Sequence, residues 1–491
     1  MPLPLLRLAH NKPAVALFAL ATHLVLHRGE WDNSFHIFLA IWVLAFGSLA
    51  ITEFAQLTHA TSIVGAFKST IVTAIVYFTV LTTSILLHRG FFHRLRHIPG
   101  PFVARFTKFY GIFAGVLPDF QYFKKSEEWH KQYKTDVIRT GPREVTIYCA
   151  DAIPVIHGPM SKCSKGPWYS GAAHVGGAST QTTRDKEEHK RRRKLWDHAF
   201  NARALREYEP RLNRHALALM SRLKEQAKQP AVRITNWVNF YSFDVMGDVG
   251  FSRSFGMLEK GEEDEIIKLL HESMSPLSIF GHVNWALNLA TRTAAGAKAL
   301  LDHIDWTAKV LEERVKITPK ENDIFSWLLD PNTTKVSPEL NADSRLLVVA
   351  GSDTTAATLS WIVYELCRHS EVQTKLRKQI DDIASSKSHL DVEDVANCAF
   401  LDGVINEALR LHPPVPSGVQ RETPPEGITL PNGTYIPGRI IIWSVTANLV
   451  RLFEMEFAKG EDGREILEKS RDCFTTNVGK LDVDLKLRNT A

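Results

Sequence analysis

Residues 350–355 read Ala350-Gly351-Ser352-Asp353-Thr354-Thr355, in the middle of a long apolar segment spanning 339–369. The flanks have helical spacing. The centre does not favour a helix, since glycine is flexible and serine, threonine and aspartate compete for backbone hydrogen bonds. A helix that keeps this hexapeptide predicts a site with a local widening of the backbone ladder. The alternative is a kink with solvated polar side chains. A carboxylate next to a hydroxyl in an apolar groove can relay protons to a bound oxygen species.

A second stretch, Glu407-Ala408-Leu409-Arg410, runs into Leu411-His412-Pro413-Pro414-Val415-Pro416. Glu407 and Arg410 share one helical face and can pair, and the prolines end the helix. Glu365-Leu366-Cys367-Arg368 repeats the spacing and reads as an ordinary surface pair. Periodicity predicts helices over 187–200, 204–228, 262–274, 294–315, 339–369, 372–383 and 392–411. Short β pieces are expected at 137–139, 145–149, 428–430, 435–436 and 440–445, with Pro431-Asn432-Gly433 turning a hairpin. The expected class is mainly α with a small β annex.

Three apolar stretches open the chain, at about 14–26, 35–51 and 71–87. The third is uncharged and long enough to cross a hydrocarbon core, the second nearly so, and the first is short. Residues 1–96 are thus expected to form a membrane region with two or three transmembrane helices. Arg89, Arg94 and Arg96 follow the third stretch and favour the cytosolic side for what comes next. His97-Ile98-Pro99-Gly100-Pro101 is a stiff hinge. The net charge of +5 over 491 residues does not predict nucleic-acid binding and suits an anionic membrane surface. Cys149, Cys163, Cys367, Cys398 and Cys473 lie far apart and form no Cys-x-x-Cys pair. Neither a structural zinc site nor a disulfide framework is expected.

The Ala-Gly-x-Asp-Thr-Thr helix, the Glu-x-x-Arg pair with Leu-His-Pro-Pro, and the Arg421 segment occur in one order and spacing. Together they resemble the cytochrome P-450 superfamily, in particular its membrane-anchored fungal branch. Pro99-Gly100-Pro101, Asp244-Val245-Met246-Gly247-Asp248 and Thr475-Thr476-Asn477-Val478-Gly479-Lys480-Leu481 fit as well. The multi-span start is similar to that of fungal enzymes of the tryprostatin B 6-hydroxylase kind, which act in secondary metabolism. The resemblance implies a cytochrome P-450 fold, incomplete, over 97–491 behind the transmembrane helices. It implies a haem cofactor, an NADPH-cytochrome reductase as partner and a lipophilic small-molecule substrate. The implied location is the endoplasmic reticulum membrane, with the catalytic domain facing the cytosol.

By the same resemblance, Asp353 and Thr354 deliver protons during oxygen activation, and Gly351 and Thr355 join the cofactor-binding set. Glu407 and Arg410 brace the haem-side core. His189 and Arg193, one helical turn apart, hold the haem propionates through charge-assisted bonds, with Arg421 as a third contact. The alternative for this basic run is a solvated face. Specificity would come from variable loops around 168–179 and 274–291.

One departure matters. A haem-thiolate enzyme needs an axial cysteine, which in this family lies in a glycine-rich loop before the last long helix. Here Ile440-Ile441-Ile442-Trp443-Ser444-Val445-Thr446-Ala447 passes directly into Asn448-Leu449-Val450-Arg451. The cysteine loop expected between about 447 and 448 is absent, so the metal-ligand set is empty. The leading expectation is a monooxygenase whose chain is a defective gene model, a splice form or a decayed copy. A catalytically inactive, membrane-bound binding remnant is the alternative. A channel or transporter is disfavoured, because the spans lack paired internal charges.

Overall fold

The computed structural model describes residues 11–55, 63–117, 119–173, 175–329, 336–384, 387, 390–443 and 454–486. The junction at 447/448 lies outside the described residues. Three apolar helices come first: α1 (Lys12–Leu26), α2 (Phe35–Ala55) and α3 (Ile63–Leu87). Asn11 caps α1 by accepting from the Ala14 amide. α1 lies along α3, where the Tyr77 hydroxyl donates to Thr22 (3.0 Å) and accepts from Trp42 of α2 (3.1 Å). Two stretches, Asp32–Phe54 and Phe67–Phe92, are long and apolar enough to cross a membrane, each with mean hydropathy 2.0. Val43, Leu44, Ile51 and Ile75 are exposed on them. Water penalises such surface and a hydrocarbon core accepts it. These helices suit a membrane anchor.

The hinge is seated on the body. The Pro99 carbonyl accepts from the Arg139 amide at 2.7 Å. Gly100 has φ +150°, and an added Cβ would collide with the Arg139 main chain, so glycine is required there.

Among the described residues, nine longer helices build the body: α4 (Tyr122–Tyr133), α5 (Lys186–Ala199), α6 (Ala202–Gln226), α7 (Ile234–Phe251), α8 (Glu265–Phe280), α9 (Ala294–Val315), α10 (Pro338–Arg368), α11 (Ser370–Ala384) and α12 (Ala399–Leu411). Packing of α7 against α10 forms the centre of the main core, with Phe243, Val348 and Ile362 buried. Each such side chain contributes about 1.5–3 kcal/mol on burial. α10 is itself apolar and long enough to span a membrane (mean hydropathy 1.4), but more than half of its most apolar stretch is buried in the body. Burial, not hydropathy, separates it from the anchor.

The β annex is small. Strands β1 (Val137–Gly141), β2 (Glu144–Ile147), β3 (Ser164–Lys165), β5 (Arg421–Glu422) and β8 (Ile441–Trp443) form one sheet in the order β1-β2-β8-β5-β3. Strands β4 (Val232–Arg233), β9 (Glu454–Phe457) and β12 (Asp482–Lys486) form a second. β6 (Ile428–Thr429) and β7 (Tyr435–Ile436) make the expected hairpin, with Gly433 at φ +82°. β10 (Arg471–Cys473) and β11 (Thr475–Asn477) make another.

The architecture is thus mainly helical with a β annex, as the sequence predicts. Two details differ. The helix expected over 392–411 is divided: Val392–Val395 is a single turn held by an Asp391–Asp394 capping box, and α12 starts anew after Cys398. α7 was invisible to periodicity because it is buried on nearly every face and has no polar stripe.

Candidate functional site

Ser337 caps α10, Pro338 occupies its first turn, and the helix then runs unbroken through Gly351. The backbone ladder does not widen. Instead the hydroxyls bond back to carbonyls one turn earlier: Ser352 to Val348 (2.9 Å), Thr354 to Ala350 (2.8 Å) and Thr355 to Gly351 (3.4 Å). This satisfies the polar groups without a bulge, correcting the expectation of a widened helix. Gly351 is exposed, and Thr354 and Thr355 are half-buried.

Asp353 points away from this face. It is buried, with Oδ1 3.0 Å from His271 Nε2 on α8 and Oδ2 accepting from Thr475 Oγ1 on β11 (3.2 Å). The other imidazole nitrogen of His271 lies 2.8 Å from Glu263. Burial would depress the His271 pKa, but hydrogen bonds and charge from Asp353 and Glu263 outweigh it and push it up to about 10. A Glu263–His271–Asp353 row thus leads from the surface to α10. Asp353 and Thr354, adjacent in sequence, turn to different partners.

Beside β10 and β11 lies a cavity of about 50 Å³, lined by Val116, Phe120, Tyr122, Trp168, Phe474 and Asp472 among others. Trp168 stacks on Phe474, with ring centres 5.0 Å apart. Burial pushes the Asp472 pKa up to about 6, against hydrogen bonds from Ser417 and the Phe474 main chain. Trp168, Gly281 and His282 belong to the two loops expected to carry specificity.

The cationic site forms where β3 meets β5. Lys165 lies directly opposite Arg421 across this antiparallel pair. Arg421 Nε donates to His157 Nδ1 at 3.2 Å. The His189 pKa is lowered by burial, then by Lys165, Arg193 and Arg421. Lys165 is pushed down to about 8 by burial and Arg421, and His157 to about 4 by the same two causes. These shifts mark a crowd of cations with little opposing charge.

Lys165, Arg421 and His157 therefore do come together, and the charges of Lys165, Arg193 and Arg421 reach His189. Arg193 stays on the surface, 63% exposed and paired with Asp197 at 2.6 Å. The buried arginine of α5 is Arg192, held by Glu188 and the Ala178 carbonyl, each at 2.6 Å. Sequence reasoning missed Lys165, because a two-residue strand carries no periodic signal, and His157, because the five-residue helix Ile153–His157 that it ends is too short to show one.

The cytochrome P-450 family profile matches residues 122–469, more than half of the chain. This chain belongs to the cytochrome P-450 family. It is similar to cytochrome P-450 monooxygenase FCK2 of Fusarium pseudograminearum, with 36% identity over 86% of this chain and 77% of that one. Tryprostatin B 6-hydroxylase of Aspergillus fumigatus is 36% identical over 75% of this chain and 66% of its own length. The solved haem domain of cytochrome P-450DA has the same fold, with TM-score 0.55 over 68% of this chain and 74% of that one, at 16% identity. The relatives are named as monooxygenases, which are oxidoreductases.

Membership of the cytochrome P-450 family implies haem, and the residues present fit it only in part. The His189–Lys165–Arg421 cluster suits a pair of carboxylates. The iron side does not fit. Cys163 is buried, and burial pushes its thiol pKa up, which leaves it inert. Cys398 lies 3.8 Å from Gln379, and Cys473 is buried in β10. Cys149 and Cys367 are half-buried. Among the described residues no cluster of His, Cys, Asp or Glu could hold a metal ion. Glu407 and Arg410 bond to each other at 2.7 Å, but their side chains are 55% and 66% exposed. The wall they were expected to brace is missing on that side among the described residues. The pair at Glu365 behaves in the opposite way. Arg368 is exposed, while Glu365 is nearly buried and lies 2.6 Å from His412, which stacks on Trp361.

Proposed function

We propose that the parent protein is a fungal monooxygenase inserting one oxygen atom into a small lipophilic metabolite, and that this 491-residue chain does not perform the reaction itself. In this reading residues 1–96 are the membrane region, and 97–491 form the catalytic domain without its cysteine loop. The body faces the cytosol from the endoplasmic reticulum and takes electrons from an NADPH-cytochrome reductase. Haem would supply oxygen activation in a form that carries the axial cysteine. His271 would hold a proton beside Asp353, Thr354 would present its hydroxyl on the exposed face of α10, and Gly351 and Thr355 would leave room there. His189 and Arg421, joined by Lys165, would hold the propionates, and Arg193 would reach them only by leaving Asp197.

The observation that carries this reading is the contrast between an assembled cationic cluster and the lack of any cysteine suited to ligate iron. A reduced carbon-monoxide difference spectrum on membranes holding this chain tests it. No thiolate-type Soret band is expected here, and a normal one once the missing cysteine segment is restored. A thiolate band from the chain unchanged would sink the proposal.

The second reading, an inactive membrane-bound binding remnant, needs a larger pocket than the cavity of about 50 Å³ beside Trp168 and Phe474 offers. Quenching of tryptophan fluorescence by a lipophilic ligand, lost in Trp168→Ala, with no haem retained, would favour it.

A further inference from the structure

Where α1 ends, α2 begins and α3 ends, an open cleft of about 1420 Å³ separates the anchor from the body. This exceeds the roughly 300–1,000 Å³ of a small-molecule pocket. One side of its lining is apolar, with Leu26, Phe35, Ile85, Phe92, Phe109 and Trp285. The other side is charged, and cations outnumber carboxylates there. The carboxylates are largely engaged already. Glu30 and Glu422 both pair with Arg184, at 2.7 and 3.1 Å.

Four lining arginines have no carboxylate of their own. Arg89 and Arg94 donate to the main-chain carbonyls of Phe106 (2.9 Å) and Gly438 (2.8 Å). Arg28 and Arg439 have no side-chain partner among the described residues. Asp32 is an opposing charge that acts on Arg89. Four histidines continue the wall: His23 and His27 flank His88 with ring centres 5.6 and 4.3 Å away, and His93 follows at 5.7 Å. Behind them Arg139 is fully buried. It donates to the Arg89 carbonyl at 2.9 Å, and its Nη1 has no partner. Its ionic neighbours are Arg105 and Arg89, both positive. His93, just beyond the span, has its pKa pushed down to about 3 by burial and then by Arg139, His88 and Arg94.

A buried positive surplus beside an apolar wall, at the level where two candidate spans meet water, suits one kind of ligand. We infer that this cleft binds the phosphate headgroup of an anionic membrane lipid, with the cationic wall on the phosphate and the apolar wall on the glycerol and upper acyl chains. A free phosphate ester shares the phosphate chemistry but would leave the apolar wall wet. A choline headgroup would bring its own cation to a wall already short of carboxylates. The inference rests on the membrane reading of α1–α3.

The test uses the full chain in nanodiscs of equimolar phosphatidylcholine and phosphatidylinositol. Lipid retained after transfer to mild detergent is counted by native mass spectrometry. Retained phosphatidylinositol should exceed phosphatidylcholine by about fivefold or more, given the attraction of each interfacial arginine for anionic lipid. Arg94→Gln with Arg439→Gln should bring the ratio near one, while Arg94→Lys with Arg439→Lys keeps the enrichment. The control pair Arg191→Gln and Arg203→Gln removes the same charge from exposed helix surfaces and should leave the ratio unchanged. No enrichment in the wild type, or equal loss in the control, would overturn the inference. Displacement of the lipid by soluble inositol phosphate would overturn it in favour of a soluble ester. Failure of the chain to enter the discs at all would remove the membrane reading as well, and is distinguishable on that ground.

Discussion

His271 Nε2 lies 3.0 Å from Asp353 Oδ1, joining α8 to the middle of α10 through a charge pair that is 23% exposed on the histidine side and 6% on the aspartate side. The same imidazole meets Glu263 at 2.8 Å through its other nitrogen. One side chain thereby ties a surface acid to the acid expected to matter for chemistry.

This pair predicts a particular pH dependence of stability. The folded-state pKa of His271 is raised to about 10. Its contribution is therefore complete below the unfolded value of about 6.5 and is lost as pH rises through about 10. The gap in thermal midpoint between wild type and His271→Gln should close over that window. A gap constant with pH would show that the imidazole is not charged in the folded state.

The two Glu-x-x-Arg pairs should respond to mutation in reverse of their sequence reading. Glu365→Ala removes a 2.6 Å partner of His412, and should cost about 1.5–3 kcal/mol, as for a hydrogen bond to a charged group. Glu407→Ala touches an exposed pair and should stay within about 0.5 kcal/mol. Urea unfolding of both variants checks the order, which should change once the cysteine segment is restored.

The cationic cluster offers a third test. Arg421→Gln takes away the charge that, after burial, does most to lower His157. The His157 pKa should rise from about 4 towards its ordinary value, read by histidine ring shifts in NMR titration, and Lys165 should rise from about 8. No movement in either would mean that the three side chains are not neighbours.

Gly100→Ala should destabilise the chain by at least about 2 kcal/mol, because the new Cβ meets the Arg139 carbonyl and the backbone sits at φ +150°. Pro99→Ala should cost less, since the carbonyl that accepts from Arg139 remains. Chemical denaturation of the two variants side by side decides it.

Much of the architecture was legible because it depends on local pattern. The apolar anchor, α5, α6, α9, α10 and α11, and the β6–β7 hairpin each carry their own periodicity or turn chemistry. α7 carries none, being buried on nearly every side, and β3 is too short to show any. The site was legible at α10, where Asp353 and Thr354 stand out by violating helix preference. It was not legible at Lys165, His157 and His271, whose partners Arg421 and Asp353 are brought near only by the fold.

Sequence alone placed this chain in the cytochrome P-450 family behind apolar helices, and predicted that no cysteine stands where the family keeps its ligand. Both readings are matters of residue identity and order. Tertiary structure decided the rest. It placed Arg192 rather than Arg193 in the interior, because the face of α5 that turns inward is set by what packs on it. It exposed Glu407 and covered Glu365, because exposure depends on neighbouring elements and not on spacing within one helix. It also gathered Arg28, Arg89, Arg94 and Arg439 around one cleft, since charges from both ends of the chain meet only when the anchor and body are brought together.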